Sequence, residues 1–274
     1  MATGARRTRI AAAVVLLVTL GVLTACGEPE DPKEPGADPA QVDSVRTPMR
    51  GACRQLTLED VAAPTNASKV VPCDGKHTAE TFAVGDLPAE LNDAAYDSPE
   101  VGAFAYETCD TGLQEFLGAD ESLALRTVLS WAWFRPSEKA WDEGARWYRC
   151  DVVGGGEQSA SLVSLPPTAK GVLEGRPDDR WLACVDGPTV ADSVKIPCTQ
   201  PHDWRAVTTI KLGEDADPYP GDRLSEVRSR DFCKKSVLAY LNYPPQYDFG
   251  FTWFHEAEWD AGNRRSICWA RTSD

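Results

Sequence analysis

Two stretches of the chain set a cysteine four residues ahead of a histidine: Pro72-Cys73-x-x-x-His77 and Pro197-Cys198-x-x-x-His202. A thiolate and an imidazole at that spacing could hold a metal. Zinc sites, however, usually draw on tight pairs such as C-x-x-C, and the chain has none. The rival chemistry is oxidation. Of nine cysteines, Cys26 stands apart near the N-terminus, leaving Cys53, Cys73, Cys109, Cys150, Cys184, Cys198, Cys233 and Cys268. An even number in an exported chain points to disulfides, so bridges are expected here and a metal is not.

The chain has three histidines, His77, His202 and His255. His77 and His202 occupy equivalent places after a cysteine. They could contact a ligand or move a proton, but recurrence favours a scaffold role, holding the loop after the disulfide. His255 has Arg135 as its counterpart and is not shared. Asp142/Arg146 and Asp260/Arg264 each flank a glycine beside a tryptophan. A salt bridge across a turn, with Arg stacked on Trp, is expected, and an anion-binding pair is the alternative. Trp204 lies near the place of Glu80 or Thr81 in the first unit, so it reads as an exposed contact residue rather than scaffold. No G-x-S-x-G elbow, phosphate loop or H-E-x-x-H occurs, and Gly154-Gly155-Gly156 lacks a following helix signature. No cofactor and no enzymatic activity are expected.

Export itself is read at the N-terminus. Arg6, Arg7 and Arg9 precede an apolar run from Ile10 to Val22, too short for a stable bilayer span, and then Leu23-Thr24-Ala25-Cys26. The order is that of a lipoprotein signal. Cleavage after Ala25 would leave Cys26 as a lipid-modified (palmitate-bearing) N-terminus. Each buried acyl methylene adds roughly 0.8 kcal/mol to the anchor. The expected location is the outer, extracytoplasmic face of the cell membrane.

Charge narrows the partners. The chain carries 28 basic and 42 acidic residues, a formal charge of -14. Removing residues 1–25, which hold three arginines and no acid, takes the remainder to -17. Such a chain is repelled by nucleic acid and by anionic lipid heads. Nucleic acid is therefore excluded as a partner, and membrane attachment rests on the lipid.

The elements that must position these residues come in two copies. Leu87 answers Leu212 at the same offset of 125 as the Pro-Cys-x-x-x-His stretches. Trp133-Phe134 answers Trp253-Phe254, and Trp141-Asp142-x-Gly144-x-Arg146-x-x-x-Cys150 answers Trp259-Asp260-x-Gly262-x-Arg264-x-x-x-Cys268. Two homologous units follow: 50–153 and 180–274. Residues 1–25 are the signal, 26–49 an acidic, proline-rich solvated tether, and 154–179 a linker with a short edge strand at Leu162 to Leu165.

Each unit reads as an antiparallel sheet with one packed helix, an α+β fold. Strands are expected at Thr81–Val84, Thr127–Phe134 and Trp147–Val153, and at Ala206–Ile210, Phe249–Phe254 and Arg265–Ala270. Ser98 and Pro99 open a helix on which Val101, Ala105, Cys109, Leu113 and Leu117 share one face. Cys233, Val237 and Leu241 repeat that spacing, with Leu224 and Val227 a few turns earlier. The third cysteine of each unit thus lies on a buried helical stripe and the fourth in the last strand. Cys109–Cys150 and Cys233–Cys268 are the preferred bridges, leaving Cys53–Cys73 and Cys184–Cys198. Three pairings per unit remain open on sequence alone. Trp131 and Trp133 share one sheet face, as core or as an aromatic platform.

The combination resembles the septum-formation domain family of actinobacterial membrane-attached surface proteins. Cys53 to Val71-Pro72-Cys73-x-x-x-His77, Cys109 and the Trp141-to-Cys150 motif carry it, and Cys184, Ile196-Pro197-Cys198-x-x-x-His202, Cys233 and Trp259-to-Cys268 carry it again. The resemblance implies an extracytoplasmic module linked to septation or envelope work, with no catalytic residue to transfer. Many relatives use a transmembrane helix where this chain has a lipobox. The expectation is a lipid-anchored binding or scaffold protein whose partner is an envelope protein or wall component. A cell-wall-modifying enzyme without a recognisable motif, or a small-ligand sensor with its site between the units, are the alternatives.

Overall fold

The computed structural model describes residues 37–272 apart from Glu157 and Asp192. The signal, the lipobox cysteine Cys26 and the first part of the tether lie outside the described residues. No described helix is long and apolar enough to cross a membrane.

The first unit contains β1 (Cys53–Arg54), α1 (Leu58–Ala62), β2 (Val70–Val71), β3 (Ala79–Asp86), α2 (Pro99–Leu117), α3 (Glu121–Leu125), β4 (Ser130–Phe134), α4 (Glu138–Asp142) and β5 (Trp147–Val153). The second contains β6 (Ala183–Val185), β7 (Ile196–Pro197), β8 (Trp204–Lys211), α5 (Asp222–Tyr240), β9 (Phe249–Thr252), α6 (Glu256–Asp260) and β10 (Arg265–Arg271). Each unit forms an antiparallel five-stranded sheet, in the orders β2-β1-β3-β5-β4 and β7-β6-β8-β10-β9. Even the irregularities recur. The β3–β5 ladder shifts register past Phe82, and the β8–β10 ladder past Val207, at the same offset of 125. A bulge kept in both copies is part of the design of the sheet, since it re-aims the strand. The α+β, two-repeat fold is thus the observed one.

The helix α2 follows from its sequence. Ser98 Oγ accepts from the Val101 N–H, Pro99 occupies the first turn, and Gly118 ends the helix at φ 72°. Val101, Ala105, Cys109, Leu113 and Leu117 are its buried residues. The four cysteine pairs close as Cys53–Cys73, Cys109–Cys150, Cys184–Cys198 and Cys233–Cys268, with Cα–Cα separations of 5.3, 5.6, 5.0 and 5.0 Å. In each unit one bridge ties the long helix to the last strand, β5 or β10, and the other closes the opening loop.

Several expectations need correction. The buried stripe of α5 runs through Ser225, Ser229, Cys233 and Val237, whereas Leu224 is 40% exposed and Val227 half-buried. Stepping back by fours from Cys233 lands on the serines, and Ser229 Oγ is satisfied by Ser225 O at 2.6 Å and Ser266 Oγ at 2.8 Å. The strand expected from Thr127 begins only at Ser130. Thr127 Oγ1 donates to Ala124 O at 2.7 Å and holds the backbone in a turn. The strand expected to run to Phe254 ends at Thr252, because Phe254 turns into a cluster with Leu212 and Trp259.

The tether is not wholly solvated. Trp147 Nε1, on a buried indole, donates to Ser44 O at 2.8 Å, and Ser137 N donates to Val42 O at 3.0 Å. Residues 37–44 therefore lie on the first unit, supplying acceptors its buried donors need. Residues 154–179 are not a free linker, and no strand forms among the described residues of this stretch. Leu165, Ala169 and Leu173 enter the core beside Leu113, Leu117 and Phe82. Glu80 accepts from Ala169 N at 2.7 Å, and Leu173 N donates to Leu117 O at 3.0 Å. A Cβ at Gly154 would strike the backbone of Val163, so the glycine run is what lets this strap return against β5.

The two units interlock. Val128 of the first packs in the core of the second with Ala206, Ile267 and Trp269, while Trp181 of the second packs in the core of the first. Val128 N donates to Trp181 O at 2.9 Å, and Ala183 N to Arg126 O at 2.9 Å. At the far end Gly262, at φ 112°, presses on the ring of Tyr106; its counterpart Gly144, at φ 97°, meets nothing within 4 Å. Gly144→Ala is expected to cost about 1–3 kcal/mol from backbone strain alone. Gly262→Ala should cost about 1 kcal/mol more, because the new Cβ would meet the Tyr106 ring and force it to shift. Equal losses in thermal unfolding would show that the repeats do not lean on each other there.

Candidate functional site

The sequence-marked histidines are held by their own loops. His77 is fully buried and its Nδ1–H donates to Gly75 O at 2.8 Å; His202, partly exposed, donates likewise to Gln200 O at 2.8 Å. A carbonyl only accepts, so both rings carry the proton on Nδ1. One histidine per unit bonding the carbonyl two residues back is a loop-holding device. The sulfurs of Cys184 and Cys198 and a ring nitrogen of His202 lie within 4.8 Å of one another. The sulfurs are spent in a disulfide and offer no thiolate.

Trp204 is not an exposed contact. It is 6% exposed, packs with Val128 and Trp269, and donates from Nε1 to Gly187 O at 3.0 Å. Its partner in β10 is Arg271, as Ala79 pairs Val153 in β3–β5, so its counterpart is Ala79 rather than Glu80 or Thr81. The face it lies on is covered by the first unit, which is why a large indole is buried there. Arg146 and Arg264 do stack on Trp141 and Trp259, at 4.1 and 4.0 Å. Their guanidiniums donate to the Trp141 and Trp259 carbonyls. Among the described residues no ion pair joins Arg146 to Asp142 or Arg264 to Asp260.

A charged cluster missed from sequence sits under β1, β3 and β5. Arg54, Arg149 and Asp151 are 1%, 0% and 0% exposed. Arg54 Nη1 donates to Thr81 Oγ1 at 2.8 Å, and Thr81 passes its hydroxyl proton toward Asp151 Oδ1 at 2.6 Å. Arg149 Nε lies 3.2 Å from the same oxygen, and Gln41 and Asn66 take further guanidinium donors. Burial, with the nearby Arg149 charge, pulls Arg54 down to about 10. The corresponding positions of the second unit are Val185, Ala206, Ile267 and Trp269, an apolar core. The cluster therefore distinguishes one repeat from the other, buried beneath residues 37–44 and α1.

One accessible cavity between the units, of about 250 Å³, brings together aromatic and charged side chains from both. Trp131, Trp253, Asp110, Lys195, Glu258 and Arg265 line it. Most of its charges are committed. Arg265 pairs with Glu121. Glu258 accepts from His255 N at 2.8 Å, capping α6. Asp110 accepts from Gln114 Nε2 at 2.7 Å and Trp131 Nε1 at 3.4 Å; burial nevertheless raises its carboxyl above the usual range. Lys195 differs. Burial lowers its ammonium to about 8, and among the described residues no charge partner opposes the shift.

Comparison with protein families matches the septum-formation family to residues 22–134 and again to residues 126–268. The chain belongs to the septum-formation family. Both copies of the cysteine framework fall largely within those matches, and membership places the chain among septum-related cell-envelope proteins. Searches of curated proteins and of solved structures each find no match.

Within a septum-formation pair, the residues that differ between copies mark what is particular to this chain. Lys195 stands where the first copy has Val70, just ahead of Ile-Pro-Cys. That exchange was visible by aligning the repeats. Its placement in the cleft was not.

Proposed function

We propose that the chain is a lipid-anchored binding or scaffold protein on the extracytoplasmic face of the cell membrane, acting without catalysis. The observation that carries this reading is the cleft between two interlocked septum-formation repeats, where all but one of the lining charges named above are tied to a structural partner. A catalytic centre needs groups free to exchange protons with a substrate; here Glu258 caps α6, Arg265 pairs with Glu121 and Asp110 accepts from Gln114 and Trp131. Four disulfides support residence in an oxidising compartment. The lipid on Cys26 would supply the membrane contact, and the net charge of -14 argues against nucleic acid. The partner is an envelope protein or a wall component meeting the cleft.

The test is a C-terminally tagged chain imaged in dividing cells and fractionated beside a Cys26→Ala variant. The wild-type chain is expected in membranes and enriched at division sites, and the variant released from the membrane. A variant that stays membrane-bound refutes the anchor. A uniform envelope signal refutes the septal role.

A further inference from the structure

Among the described residues, Lys195 presents a cation with no counter-charge. In a chain with net charge -14, an ammonium ordinarily finds a carboxylate nearby. Among the described residues none pairs with it, and no hydrogen bond engages its side chain. Its backbone is fixed, with Lys195 N donating to Gln158 O at 2.7 Å, so the side chain springs from an anchored point on the cleft wall. Asp110 and Glu258 line the same cavity but are held by Gln114 and Trp131 and by the α6 cap. Two half-buried indoles, Trp131 from the first unit and Trp253 from the second, complete the walls. A half-buried cation lining the same cavity as two indoles suits a ligand that brings its own negative charge and a flat apolar body.

We infer that the inter-repeat cleft binds an organic carboxylate carried on a flat apolar group, with Lys195 supplying the counter-charge and Trp131 and Trp253 the ring contacts. The inference deepens the binding role proposed above and rests on it. The carboxylate can belong to a free small acid or to the C-terminal residue of a peptide.

The test is calorimetric titration of the purified full chain at pH 7 with indole-3-acetate, indole-3-acetamide and acetate. A second pair of probes is the peptide Gly-Gly-Trp with its terminus free or amidated. At least one free carboxylate is expected to bind about tenfold or more tighter than its own amide, in keeping with a charge-assisted hydrogen bond, and acetate to bind more weakly than indole-3-acetate. Lys195→Met should remove the preference for the acid and Lys195→Arg should keep it, both with unchanged melting temperature. Acid and amide binding alike, neither binding at millimolar concentration, or a preference that survives in folded Lys195→Met would overturn the inference. Failure here with enrichment at division sites intact would remove this ligand class and leave the scaffold role standing.

Discussion

Asp151→Asn is expected to destabilise the fold by about 3–5 kcal/mol, a fall in melting temperature of roughly 6–20 °C for a chain of this size. The reason lies in the geometry under the first sheet. Asp151 is the carboxylate between two guanidiniums that are themselves out of water: Arg149 Nε at 3.2 Å and Arg54 Nη1 at 3.9 Å. An asparagine would leave two buried cations with no counter-charge, and uncompensated burial of a charge is the costly case. Replacing the whole cluster should behave differently. The triple variant Arg54→Met, Arg149→Met, Asp151→Leu removes charges and partner together, so it is expected to be neutral or stabilising by about 1–4 kcal/mol. The second repeat already uses that solution, with Val185, Ile267 and Trp269 at the matching places. Thermal unfolding of the two variants decides the matter. A loss below about 1 kcal/mol for Asp151→Asn would mean that water, rather than the carboxylate, compensates the arginines.

Reduction of the disulfides is expected to abolish folding at 37 °C. The four loops span 20, 41, 14 and 35 residues and do not overlap in sequence, so their effects on the unfolded chain add. Loop-closure entropy assigns about 3 kcal/mol to each shorter bridge and about 4 kcal/mol to each longer one. Together that is about 14 kcal/mol, at the upper end of the whole stability of a typical domain. Circular dichroism in reductant, against the oxidised chain, is the measurement. Opening only Cys184–Cys198, by a Cys184→Ala/Cys198→Ala double variant, should cost about 3 kcal/mol and leave the protein folded. A reduced chain that still melts cooperatively above 37 °C would mean that the interlocked cores suffice without the bridges.

The fold was legible to the extent that it is repetitive and periodic. Helix α2 could be placed from Ser98, Pro99 and an apolar residue at every fourth position, because a cap and a stripe are local statements. On the second long helix Cys233 and Val237 face the core as their spacing predicts, but the first turns bury Ser225 and Ser229 in place of Leu224 and Val227, which polarity does not announce. The Ser229 hydroxyl is satisfied there by Ser225 O and Ser266 Oγ, and Ser225 is carried onto the same buried face by the helical spacing. Residues 154–179 read as linker from their prolines and glycines, yet Leu165 and Leu173 close the first core. Composition reports what a segment can do alone and says nothing of a partner surface waiting for it.

The candidate site was harder to read, for the same reason. His77 and His202 stand out by type and spacing, and each ties its own loop. Trp204 has no tryptophan counterpart in the first repeat, and it is the other repeat that buries it. Lys195 and Asp110 lie on different units, 85 positions apart in the chain, and meet one cavity only because the units interlock.

What the residues by themselves determined was the duplicated α+β unit, its family and its long helices. Each of these rests on patterns within a few turns of chain or on a comparison of one copy with the other. What only the tertiary structure decided was which faces the copies bury against each other, and hence where a cleft remains. Burial, desolvation and the loneliness of a charge depend on neighbours far along the chain, and no local pattern encodes them.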